Sequence, residues 1–490
     1  MKNDFDPDGL RLPIKIDTAT NGEYAPVPLG AAARDANAEA FADACALSRR
    51  LKISRRQFLV SFAGAAATLL AFNRAHARAG ARGGFFEISI DAALDAESAS
   101  AQVCGSEFIF DVQNHCVDPS ASWRESTDGT RWHYILTNLF GQRQKCSPGL
   151  LDAYSAQQLL KDVYLDSDTQ IGIVTALWGA RGGNPTSIDY AKEVQAVVAG
   201  VGDSKRTLIH GGVMPNEPGA LDFMDVQARE YKVSGWKLYP QWGPNGVGFF
   251  MDDEQYGIPF VEKVRASGIK VVCAHKGLPL PFLLYEYSDP TDIARVAARY
   301  PDITFVCYHS AFEPGIREGE YNPKAPVGVD RLIKAHQEHG FTRNQGNLYA
   351  ELGGAWMFNM RDPEAAAHLI GKLMKYFGEE RICWGTDSIW FGSPQDQIQA
   401  FRTFQITDEF QAKFGYSKMT TQARARIFGL NAASIYKLDV EAIRRAARED
   451  RMGLLKAEYR EAPNPSFMTY GPRTNAEYQR LVSESRGRPG

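Results

Sequence analysis

The run FIFDVQNHC, residues 108–116, carries Asp111, Gln113 and His115 two positions apart where an apolar stretch ends. Alternate side chains on an extended chain share a face. The spacing therefore predicts three polar groups aimed the same way at a strand end. Histidines recur in the same kind of place: His210 in RTLIHGG, His275 in VVCAHKG and His309 in FVCYHS. Asp387 follows RICWGT, and Lys237 closes VSGWKL. Neutral imidazoles and a carboxylate are donors suited to a divalent metal ion such as Zn²⁺. A carboxylate beside such an ion can also take the proton of an attacking water.

For these groups to meet, the elements carrying them must share one face. Eight apolar runs read as strands: 108–115, 170–179, 206–215, 233–240, 268–277, 302–310, 346–353 and 381–389. Amphipathic segments such as SIDYAKEVQAVVAG and DPEAAAHLIGKLMKYFG separate them and read as helices. Continuous apolar strands joined by crossover helices imply a parallel sheet covered on both faces. DVQNHCVDP is not the Gly-rich phosphate loop that usually follows the first strand of a doubly wound sheet. Eight repeats fit a closed α/β (β/α)8 TIM barrel, whose strands all open their C-terminal ends on one mouth. The expected barrel spans 107–437, with loop insertions at that mouth (116–149, 240–256 and 311–325), and 438–490 forms a peripheral C-terminal extension.

The chain has 490 residues and a formal net charge of -3. Without a basic field covering it, nucleic acid is not the expected partner. Cys116, Cys273, Cys307 and Cys383 sit in or beside apolar runs, which suits small buried side chains better than a disulfide scaffold. Within an N-terminal region of residues 1–79, the stretch 54–79 (SRRQFLVSFAGAAATLLAFNRAHARA) has an arginine pair before an uncharged run and small-x-small cleavage patterns. It resembles a twin-arginine export signal, too short and too rich in Ala and Gly for stable membrane insertion. That reading implies the Tat translocase as a transient partner, a periplasmic destination, and a mature chain starting near residue 78 or 80. The alternative is a buried Ala-rich helix flanked by surface arginines.

The order of DVQNH, CAHKG, CYHSAF, WGTDSIW and the closing IFGLNAASIYKL resembles the amidohydrolase superfamily. Within it the chain is most similar to the amidohydrolase-related group that includes aminocarboxymuconate-semialdehyde decarboxylase and aromatic-acid decarboxylases. The resemblance implies one divalent metal, commonly zinc, held by His115, His275 and Asp387, with position 113 as a further ligand. It implies His309 as a catalytic histidine beside Asp387. Gln113 departs from the pattern, since an amide oxygen is a weaker donor towards Zn²⁺ than imidazole or carboxylate.

Around this mouth Lys237, His210, Trp178, Arg181, Trp236, Trp356 and Trp390 are the candidate substrate contacts, a partly flat, apolar pocket with cationic groups. The expected activity is metal-dependent hydrolysis of a small amide, ester or lactone that is aromatic or carries a carboxylate. The alternatives are metal-dependent decarboxylation of an aromatic or unsaturated acid, and a degenerate barrel that binds without catalysing. The family and the C-terminal arm suggest a homodimer.

Overall fold

The computed structural model describes residues 12–16, 29–139, 151–279 and 282–465, with isolated positions besides. All eight expected strands form: β2 (Phe110–Asn114), β3 (Ile171–Val174), β4 (Thr207–Gly212), β5 (Gly235–Leu238), β6 (Val271–His275), β7 (Thr304–Tyr308), β8 (Leu348–Glu351) and β9 (Ile382–Cys383). They pair in parallel in chain order. The first and last strands meet at a seam, where Val112 donates to the Trp384 carbonyl at 3.0 Å and His115 to the Ser388 carbonyl at 2.5 Å. The result is a nearly closed (β/α)8 barrel. An outer two-stranded ribbon joins β1 (Gly84–Phe86) to β10 (Phe404–Ile406).

Alternation does not run unbroken through the first barrel strand. The register of β2 on β3 shifts between Asp111 and Asn114, the mark of a bulge that re-aims side chains. Phe110 and Val112 join the cluster of Ile171, Ile173, Val271, Cys273, Val306, Tyr308 and Cys383. Side chains from so many strands meet only inside the barrel. Asp111 turns to the seam and accepts from the Thr386 amide at 3.1 Å and from the Thr386 hydroxyl. It braces the mouth, and the expectation that it shares a face with Gln113 and His115 is corrected by the bulge.

The stretch expected to be an export signal is built into the fold. The helices α1 (Ala31–Arg50), α2 (Arg55–Leu59) and α3 (Phe62–Arg78) form a cap, and eleven residues of α3, including Leu69, Leu70 and Phe72, are buried. Asn73 fixes this helix to β1, donating to the Phe86 carbonyl at 2.7 Å and accepting from its amide at 2.9 Å. Among the described residues no helix is long and apolar enough to cross a membrane. The C-terminal helices Val440–Glu449 and Arg451–Tyr459 dock beneath the barrel. There Arg206 holds Asp450 through two nitrogens at 2.5 and 2.7 Å, and Arg460 reaches Asp168 at 2.8 Å. The extreme C-terminus lies outside the described residues.

Candidate metal centre

Three imidazoles at the C-terminal ends of β2, β6 and β7 are each pinned through one ring nitrogen by a backbone carbonyl. His115 Nδ1 lies 3.0 Å from the Thr175 oxygen, His275 Nε2 2.9 Å from that of Leu278, and His309 Nδ1 2.8 Å from that of Gly353. A carbonyl only accepts, so each of these nitrogens carries the proton. The other nitrogen of each ring is then bare: His115 Nε2, His275 Nδ1 and His309 Nε2. Burial, reinforced by the Lys237 charge, drives His115 down to about 3. It holds His275 and His309 well below the ordinary imidazole range as well. The rings are neutral, with lone pairs ready for a cation.

These bare nitrogens converge. His275 Nδ1 and His309 Nε2 face one another at 3.1 Å, and His115 Nε2 lies 3.2 Å from Asp387 Oδ1. The Gln113 amide links the two pairs. Its Nε2 is 2.9 Å from Asp387 Oδ1, 3.3 Å from His309 Nε2 and 3.5 Å from His115 Nε2. Two lone pairs opposed at hydrogen-bond distance repel unless a proton or a cation lies between them. Among the described residues no three His, Cys, Asp or Glu side chains form a ready-made metal cage. The Gln113 amide sits among these donors. The donors themselves fit a divalent ion in type, in protonation and in the unrelieved opposition of His275 and His309.

The carboxyls around this centre are buried to match. Burial pushes Asp387 up to about 8 against the opposing pull of Lys237, and pushes Glu351 up to about 8 and Asp111 up to about 7. An ion would reverse that trend by stabilising the ionised form. Asp387 has a φ of 56°, and His309, Ser310 and Ala311 form a run of positive φ at 64°, 50° and 59°. Such backbone costs about 1–3 kcal/mol per residue and persists where surroundings hold it.

Glu351 holds this run. Its carboxylate accepts from the His309 amide at 2.8 Å and the Gly353 amide at 2.6 Å, and Ser310 Oγ donates to its carbonyl at 2.6 Å. Replacing Glu351 with Gln turns an amide NH2 towards one of those N–H groups. We expect a loss of about 1–3 kcal/mol in denaturant unfolding with a fall in turnover. An unchanged midpoint would remove Glu351 from this role.

Two expected substrate residues border the centre, Trp390 and Lys237. Trp390 stacks on His115 with ring centroids 5.8 Å apart, while Arg181, in the loop after β3, has its guanidinium 4.5 Å from the Phe223 ring centroid. Tyr239 stacks on His275 at 4.8 Å, giving the centre a second aromatic wall. Trp178, Trp236, Trp356 and His210 are directed elsewhere. Trp178 is buried against Trp132. The Trp236 indole donates to the Ile269 carbonyl at 3.0 Å and that of Trp356 to the Gln397 carbonyl at 3.0 Å, both in the layer outside the barrel. His210 Nε2 meets the Tyr436 hydroxyl at 2.8 Å inside the barrel, next to the chain's closing helix.

Lys237 is fully buried, its amine 4.3 Å from the Tyr239 ring and 4.1 Å from the Tyr308 ring, with no hydrogen-bond partner among the described residues. Burial lowers it to about 7. For Trp178, Trp236, Trp356 and His210, strand-end position alone did not reveal the direction of the side chain. The carbonyl clamps escaped the sequence reading, whereas Glu351, at the end of its strand, is expected from sequence to orient a ligand or base through a hydrogen bond, and it accepts from the His309 amide. The glycines of ELGG and WGTD were a signal of this close packing: a Cβ on Gly353 would lie 2.4 Å from Gln113 Oε1, and one on Gly385 1.7 Å from Glu351 Oε1.

A search of curated protein sequences finds no match. Among solved structures the chain is similar to a TIM-barrel protein from Bordetella bronchiseptica (16% identity, 69% of this chain and 99% of that one, TM-score 0.41). It is also similar to 2,6-dihydroxybenzoate decarboxylase from Rhizobium (16% identity, 68% and 99%, TM-score 0.41). A third is 5-carboxyvanillate decarboxylase from Novosphingobium aromaticivorans, solved with manganese (14% identity, 68% and 98%, TM-score 0.41). Similarity at this level assigns no chemistry. The family profile described as amidohydrolase matches residues 186–438, over half of the 490. That span starts after Gln113 and His115 but takes in His275, His309 and Asp387, and on it the chain belongs to the amidohydrolase family.

Proposed function

We propose that this protein is a metal-dependent hydrolase acting on a small amide, ester or lactone that is aromatic or carries a carboxylate, with 107–437 as its catalytic unit. The observation that carries this reading is the set of three bare imidazole nitrogens and one carboxylate drawn together around the Gln113 amide at the barrel mouth. His115, His275 and Asp387 would hold the ion, zinc by the softness of the donors, and His309 Nε2 faces the same space. When bound, such an ion supplies Lewis acidity towards a carbonyl and towards water.

The chain's own part is proton handling and orientation. Asp387 takes the proton of the attacking water. His309, its far nitrogen clamped by the Gly353 carbonyl, presents its bare Nε2 to the substrate as an acceptor that orients it, and Asp387 passes the proton taken from water on to the leaving group. Trp390 and Tyr239 support a planar substrate between them. The same flat walls favour, as a second reading, decarboxylation of an aromatic acid, in which a proton reaches the ring carbon before carbon dioxide leaves.

Bound metal in the purified protein, with assays of lactone, ester and amide cleavage beside ring-carboxylate loss, tests both. We expect one equivalent of a divalent ion and activity that a chelator removes. Metal-free protein inert to every substrate would point to the degenerate binding barrel. Export is a separate proposal. Arg55 and Arg56 ahead of the apolar run support twin-arginine transport, while burial of α3 supports a leader kept in the folded protein. N-terminal sequencing of protein from separated cell fractions decides between a cleaved and a retained segment.

A further inference from the structure

The Gln113 amide has one end satisfied and one end stranded. Its Nε2 donates to Asp387 and faces the bare nitrogens of His309 and His115. Its Oε1 is buried with no hydrogen-bond partner among the described residues. That oxygen and the Glu351 carboxyl both crowd the open side of Gly353, where a Cβ would be 2.4 Å from Gln113 Oε1 and 2.6 Å from Glu351 Oε1. The oxygen end is thus left without a donor, while at the other an N–H donor occupies the middle of a ring of acceptors. A half-turn about Cγ–Cδ exchanges the two ends with almost no change in volume. It would aim Oε1 at the imidazoles and Asp387, and the NH2 at Glu351.

From this we infer that Gln113 is a two-state element: its amide nitrogen stands in for the cation when the site is metal-free, and its oxygen turns inward as a ligand when an ion is bound. A histidine or glutamate at this position could ligate but could not donate two N–H groups to Asp387 and His309 in the ion's absence. The ligand half of the inference rests on the hydrolase reading; the stand-in half rests on the hydrogen bonds alone.

The test compares wild type, Gln113→Leu and Gln113→Glu as full-length proteins, stripped with a chelator and then titrated with zinc. Melting temperature and zinc affinity are the readouts. Zinc should raise the melting temperature of wild type, since an ion held only by the folded state stabilises it, but by less than it raises that of Gln113→Glu. Metal-free Gln113→Leu should melt about 2–6 °C lower than metal-free wild type, because Asp387 and His309 lose their donor, and should bind zinc more weakly. Gln113→Glu should bind zinc about tenfold more tightly or better, yet melt lowest when metal-free, and regain stability on loading. Metal-free Leu and Glu variants melting no lower than wild type would overturn the stand-in role. Zinc affinity unmoved by either substitution would overturn the ligand role. Wild type that binds no zinc would sink the hydrolase reading, leaving the metal-free comparison to decide the stand-in role by itself.

Discussion

Replacing Asp387 with Asn is expected to lower kcat by about 10³-fold or more, within the range of a lost general base plus a weakened ligand, while the protein stays folded. This substitution separates charge from shape. Asn keeps the volume, and its Oδ1 can still accept the Gln113 N–H that Asp387 now accepts at 2.9 Å. It cannot take a proton from water, and as a neutral ligand it holds a divalent ion less firmly. Burial already disfavours the Asp387 charge when no ion is present, so removing that charge should cost the metal-free protein little stability. Steady-state kinetics with a melting curve check both halves. Wild-type turnover in the variant would remove Asp387 from the chemistry.

The second large effect concerns the N-terminal cap. A chain begun at residue 80 loses Phe58, Leu59, Leu69, Leu70 and Phe72, all buried. At about 1.5–3 kcal/mol for each large apolar side chain, that loss is comparable with the whole stability of a typical domain, about 5–15 kcal/mol. It also bares the barrel surface that α3 covers. The truncated protein is expected to be insoluble or molten, judged by expression in the soluble fraction and by near-ultraviolet circular dichroism. A soluble truncated chain melting like the full one would show that the cap is dispensable and would restore the cleavable export signal.

The barrel was legible because its signal is repeated. Eight apolar runs with crossover segments leave few other folds, and each run became a strand. The same repetition located His115, His275, His309 and Asp387, because any strand end of a parallel barrel faces the mouth. Side-chain direction was legible less often. Trp236 and Lys237 are neighbours on one strand, so one points out and the other in, and the alternation could have told them apart. His210 looks like its three counterparts in sequence but finds the Tyr436 hydroxyl, from a helix more than two hundred residues later. The bulge between Asp111 and Asn114 carries no Gly or Pro to announce it, so strict alternation gave Asp111 the wrong neighbours. The apolar run after Arg56 has the composition of an export signal and also of a buried helix. Only its packing distinguishes the two uses.

The most direct measurement is anomalous X-ray scattering from crystals of the zinc-loaded protein. The account predicts a single strong peak about 2.0–2.3 Å from His115 Nε2, His275 Nδ1 and an Asp387 oxygen. Full zinc occupancy elsewhere, or density at this mouth explained by protein atoms alone after loading, would contradict it.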